Sequence, residues 1–115
     1  MTDSAGDDSV LIVHISIPHD AANDMARRIV ENRLAACVSV DGEIESLFRW
    51  DGEVQHEPEA RLTCKTTGKR LPELIEFVKA NHSYDLPEII AIPVTAGLPE
   101  YLDWVRKEVE QRQED

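Results

Sequence analysis

Apolar and polar residues alternate from Val10 to Ile17: Leu11, Val13, Ile15 and Ile17 share one face, His14 and Ser16 the other. That period of two predicts a strand, and Pro18 stops it. The period then changes. Ala22, Met25, Ala26, Ile29, Val30 and Arg33 recur at helical intervals, with Asn23, Asp24, Arg27, Arg28 and Glu31 on the wet side. An amphipathic helix is predicted there, with Asp20 in its N-cap region. Alternation returns from Ala36, with Val38 and Val40 facing one way and Cys37 and Ser39 the other. This arm runs through a bend or bulge at Asp41-Gly42 to Trp50, where Asp51-Gly52 is a two-residue hairpin signal. Glu53-Val54-Gln55 starts the return arm, Pro58 marks a bulge or an edge, and Ala60 to Thr66 continue it. Thr67-Gly68 opens a second helix, with Pro72 in its first turn and Leu71, Leu74, Ile75 and Val78 as its stripe. His82 to Pro87 reads as a loop and Glu88 to Val94 as a last apolar strand. Gly97 and Pro99 then lead into a C-terminal helix that turns Leu98, Tyr101, Leu102, Val105 and Val109 inward.

The order β-α-β-β-α-β plus a terminal helix is the ferredoxin-like split βαβ arrangement, an α+β fold. The middle hairpin is long, its arms about twice the usual strand of ~5–6 residues. Long arms leave exposed edges, and a partner subunit is the simplest cover. An oligomer is the expectation.

At 115 residues the chain is one domain, assigned to residues 10–115, large enough for a core without disulfides or structural metal. Residues 1–9 are expected to form a disordered acidic arm: Thr2-Asp3-Ser4-Ala5-Gly6-Asp7-Asp8-Ser9 is the reverse of a basic secretory leader. With no ~20-residue apolar run, the expectation is a cytoplasmic protein without a membrane partner. A net charge of −11 argues against nucleic acid and is compatible with attraction of cations. Cys37 and Cys64 lack C-x-x-C spacing, and His14, His19, His56 and His82 lack zinc-finger spacing, which argues against a closed structural zinc site.

Several motifs, taken together, go further. Arg33-Leu34-Ala35-Ala36-Cys37, Trp50-Asp51-Gly52, Glu59, Lys65-Thr66-Thr67, His82-Ser83-Tyr84-Asp85-Leu86-Pro87-Glu88 and Tyr101-Leu102-Asp103-Trp104 resemble, in order and spacing, the CutA family of divalent-cation tolerance proteins. The resemblance runs from about Val10 to Val109. It implies a trimer built like the PII signalling proteins, with sheets toward the three-fold axis and helices outside. It also implies a link to copper and other divalent-metal tolerance, and no established enzymatic reaction. Two departures stand out. His82-Ser83-Tyr84-Asp85 replaces the family's usual His-Pro-Tyr-Glu, and Phe48 stands where a tyrosine is common.

Cys37, which resembles the family's recurrent cysteine, is either an inert packed thiol or a soft ligand for copper(I). A low-pKa nucleophile would need a helix N-terminus or a nearby cation, whereas Cys37 follows a helix C-terminus. His82, with Tyr84 and Asp85 close behind, is either a metal ligand or a structural histidine capping the second helix. His14 on the mixed strand face could meet its symmetry mates in a trimer; His19 and His56 read as surface residues. Glu59, Lys65 and Asp85 form an acid–base set, or Lys65 pairs with a carboxylate at an interface. Thr66-Thr67-Gly68 could hold an anion at a helix start, but it is poor in glycine for a phosphate loop. The first reading is a non-enzymatic homotrimer binding copper or another divalent cation through His82, Cys37, Asp85 and Glu59. The alternative is a PII-like small-molecule sensor with inter-subunit clefts lined by Trp50, Lys65, Tyr84 and Trp104.

Overall fold

The computed structural model describes residues 7–110. Strand β1 (Val10–Ile17) leads through a 3₁₀ turn at His19–Ala21 into α1 (Ala22–Glu31). Strands β2 (Cys37–Trp50) and β3 (Glu53–Thr67) form the long hairpin, followed by α2 (Leu71–Asn81), β4 (Ile89–Pro93) and α3 (Pro99–Glu108). The antiparallel sheet has the order β2-β3-β1-β4. Pairs such as Val13↔Cys64 and Ile15↔Leu62 aim one sheet face at the helices. There they join Met25 and Ile29 of α1 and Leu74 and Val78 of α2 in the main core. The ferredoxin-like α+β fold read from the sequence is the observed one.

Asp20 makes no side-chain cap: it sits within the 3₁₀ turn, and α1 begins after it at Ala22. The end of α1 explains the Arg33-Leu34 motif. Arg33 adopts a left-handed φ of 58°. Leu34 N–H then donates to Ile29 C=O and Arg33 N–H to Val30 C=O, both at 3.0 Å, the pairing of a Schellman cap. Glycine is usual at such a position. Here Arg33 is tied down instead: its guanidinium donates to Glu108 C=O at 2.8 Å and its own C=O accepts from Arg70 Nε at 3.3 Å. Ala36 N–H donates to Lys65 C=O at 2.8 Å, and β2 starts at once.

In the hairpin, Val38↔Cys64 and Val40↔Leu62 place the valines on the helix side, while Cys37↔Lys65 and Ser39↔Thr63 lie on the open face. The register shifts between Asp41 and Ile44, a one-residue bulge. Beyond it the phase reverses, so Ile44, Ser46, Phe48 and Trp50 share the open face with Glu59, Glu57 and Gln55. Asp51 (φ 53°) and Gly52 (φ 78°) make the tight turn, both left-handed as its geometry demands. Pro58 pairs with Glu45 past the last β1–β3 pair, Ile17↔Ala60, where β3 has only β2 as neighbour.

Two other expectations change. In α3 only Val105 is buried, joined by Val109 just past its end; Tyr101 and the preceding Leu98 are exposed, because the helix meets the body through its C-terminal half, where Arg33 binds Glu108. The described part of the acidic arm, Asp7–Ser9, is held: Ser9 C=O accepts from Gly68 N–H at 3.0 Å, Asp7 C=O from Lys69 N–H at 2.8 Å, and Asp8 C=O from Arg106 Nε at 2.8 Å. Residues 1–6 of that arm lie outside the described residues, as do 111–115 of the assigned domain.

Candidate functional site

The open face of the hairpin and the loop His82–Glu88 enclose a cleft of about 890 Å³. Four acids line it from this face and the loop, Glu57, Glu59, Asp85 and Glu88; Glu45 and Arg49 border it along β2, but alternation puts their side chains on the opposite face, where Glu45 meets His56. Phe48, Trp50 and Tyr84 supply aromatic wall. The bulge of β2 creates this composition by turning Ser46, Phe48 and Trp50 onto the face that carries Glu59.

Glu59 is the deepest acid, 4% exposed. Ser46 Oγ donates to its Oε1 at 2.6 Å and Tyr84 OH donates to its Oε2 at 2.7 Å. Two hydroxyl donors on two oxygens fit a carboxylate that only accepts. Burial, then the hydrogen bond and charge of Glu59, then Glu57, push the Tyr84 hydroxyl up to about 12. At the neighbouring end of β1, Ser16 Oγ donates to Glu88 at 2.7 Å.

His82 anchors the loop whose residues Ser83 to Leu86 line the cleft. Its Nε2 lies 2.8 Å from Ser16 C=O and its Nδ1 accepts Tyr84 N–H at 3.1 Å, which fixes the Nε2–H tautomer and engages both ring nitrogens. The ring also packs against Tyr84, centroids 4.8 Å apart. So His82 holds the loop to β1, and it does not cap the carbonyls of α2. Asn81 makes a bond of that kind, Nδ2 to Phe77 C=O at 2.8 Å.

Glu59, Asp85 and His82 thus lie at one end of the sheet, and Cys37 lies at the other. Cys37 pairs with Lys65, six residues along β3 from Glu59, or about 20 Å at strand rise. Lys65 Nζ donates to Ser39 Oγ at 3.2 Å, so it joins no acid–base set with Glu59 and Asp85. Trp104 stacks on Tyr101 at 5.5 Å, and burial followed by the adjacent Cys37 raises the Tyr101 hydroxyl. Of the four residues expected to line an inter-subunit cleft, Trp50 and Tyr84 line this one within the single chain, and Lys65 and Trp104 lie outside it. Among the described residues no three His, Cys, Asp or Glu side chains converge as a metal cluster. Ser16, Ser46, Glu57 and Glu88 were not among the site residues expected from the sequence. The usable signal was Asp41-Gly42: carrying one extra residue through that bulge puts Ser46 opposite Glu57 and one pair from Glu59.

Residues 11–108 match the family model described as CutA1 divalent ion tolerance protein. The chain belongs to the CutA family. It is 45% identical over 97 residues to the divalent-cation tolerance protein CutA of Thermus thermophilus, covering 84% of this chain and 94% of that one. It is 42% identical over 97 residues to the chloroplastic CutA of Arabidopsis thaliana, covering 84% of this chain and 53% of the relative, about half its length. A solved PII-like CutA from Nostoc superposes with a TM-score of 0.83 at 32% identity, covering 87% of this chain and 97% of that one. The long hairpin, the loop after α2 and the terminal helix are therefore parts of a CutA fold.

Proposed function

We propose that this protein binds divalent cations and serves metal-ion tolerance as a non-enzymatic homotrimer of the cytoplasm. The observation that carries the reading is the acidic cleft in a chain of the CutA family: Glu57, Asp85 and Glu88 line it around the buried Glu59. Carboxylate oxygens suit hard divalent ions, and Cys37 offers a separate soft donor for copper. His82, Cys37, Asp85 and Glu59 remain the proposed donors. Because they do not converge within one chain, a complete site draws on a second subunit, and His82 would have to release Ser16 or Tyr84 to take part.

Calorimetric titration of the reduced protein with zinc and with copper tests this. Dissociation constants well below ~1 mM that weaken at least about tenfold in Glu59→Gln or Cys37→Ser are expected. Binding no tighter than ~1 mM, or unchanged in both variants, would overturn it.

A second reading is favoured by the cleft itself. About 890 Å³ with aromatic wall and a few fixed polar groups falls in the range of small-molecule sites, which supports a PII-like sensor. A metabolite that raises the melting temperature in metal-free buffer would be its signature.

A further inference from the structure

We propose that the acid-bearing arm of one subunit lies across the open sheet face of the next, and that Glu57 of the arm pairs there with Arg61 of that second copy. The proposal rests on the trimer reading and names the surfaces and charges that join its subunits.

Arg61 calls for the partner. It stands half-buried in the middle of the sheet, opposite Asp41 on β2 and Ser16 on β1. Its Nε is buried and bonds to nothing, and its guanidinium makes no ion pair among the described residues. A guanidinium keeps its proton in a folded protein, and a buried donor left without an acceptor is costly. No described acid of the same chain supplies that acceptor. Asp41, directly across, makes no ion pair with it. Glu59, one same-face row away, has both oxygens occupied by the hydroxyls of Ser46 and Tyr84. Glu57 also makes no ion pair among the described residues. Four residues of strand, about 13 Å, separate it from the Arg61 of its own chain.

Glu57 is placed to reach another copy. The last β1–β3 pair is Ile17↔Ala60, so Glu57 stands on the part of β3 that projects from the body with only β2 beside it. Ser46, Phe48 and Trp50 share its face of the arm. On the body, the face that carries Arg61 also carries His14, with Ile90 and Ile92 of β4 beyond it. Phe48, Trp50, Ile90 and Ile92 are all exposed in the single chain. Laying the arm on the next body therefore covers apolar surface on both sides while it brings acid to base. Arm against arm would set Glu57 against Glu57 and leave Arg61 as it is. Two different patches of one chain that fit each other make a heterologous contact, and such a contact closes into a ring of three when each copy is turned by a third of a circle.

Light scattering and sedimentation of the full-length chain, with circular dichroism to check folding, test this in Arg61→Glu and Glu57→Arg. Each variant alone sets like charges at every contact and should need at least about tenfold more protein than the wild type to form trimers. Mixed in equal amounts, the two should form trimers again, because two of the three contacts in a mixed ring then join opposite charges. Rescue by mixing requires that the pair spans subunits. The chain carrying both substitutions restores all three contacts and should assemble more tightly than the mixture. Where Arg61→Glu does not fold, Glu57→Arg at its exposed position carries the test, and it must weaken the trimer more than Glu57→Gln does. If the wild type and both variants form trimers alike, or if the folded variants stay apart on mixing, the pairing of Glu57 with Arg61 is wrong while the trimer stands. A monomeric wild type overturns the pairing and the trimer together.

Discussion

Glu59 depends on two hydroxyls that reach it from different elements, Ser46 on β2 and Tyr84 in the loop before β4. Replacing Tyr84 with Phe keeps the ring and leaves a buried acceptor short of a donor, which costs about 1–3 kcal/mol. Urea denaturation of Tyr84→Phe should show a loss of that size. Cys64 makes a sharper residue-scale prediction. Fully buried, its thiol is pushed up from 9.0 to about 12, chiefly by desolvation, with Lys65 opposing and Cys37 adding to the shift. The folded state therefore holds that proton more tightly than the unfolded chain does. Its contribution is intact below pH 9 and is lost as pH rises from 9 toward 12. Melting temperatures across this window should fall less steeply for Cys64→Val than for the parent. At this scale residue identities were legible in the sequence, and Glu59, His82 and Cys37 were singled out from it. Their partners were not: His82 meets a backbone carbonyl 66 residues away, and no local pattern encodes that bond.

The hairpin shows what an element-level pattern carries. Asp51-Gly52 announced its turn because the two consecutive left-handed residues of such a turn leave few choices of side chain. An added Cβ at Gly52 would meet nothing within 4 Å, so Gly52→Val costs backbone strain alone, roughly 1–2 kcal/mol. Chemical denaturation should report that loss with an unchanged slope. The bend at Asp41-Gly42 was legible too; the change of face beyond it was not. One inserted residue reverses every side chain beyond it, and alternation alone gives no sign of where pairing slips. The inward stripe assigned to α3 failed for a different reason. Periodicity marks one face of a helix, and only tertiary contact decides how much of its length is covered.

For the whole molecule, extents of 48 × 32 × 25 Å express an arm that projects from a small body. Leu47, Phe48, Trp50 and Val54 on that arm, with Ile90 and Ile92 of β4, are large apolar side chains left exposed in the single chain. Light scattering should give three times the chain mass, and Ile92→Glu should shift the protein toward monomer. A wild-type monomer at micromolar concentration would contradict the trimer. Association was suggested in the sequence by arm length, and its geometry was not legible there because the surfaces involved are assembled only by folding. One feature of the fold also has a practical bearing on the cleft. Asp7–Ser9 are fastened beside the start of α2, at the Val10 end of β1, whereas Ser16 at the other end lines the cleft. Six residues of strand put about 20 Å between them. A fluorophore or surface tether attached through the chain ahead of Asp7 therefore joins the body at the far end of the sheet. Ligand can then be titrated into an immobilised protein with the cleft facing solution.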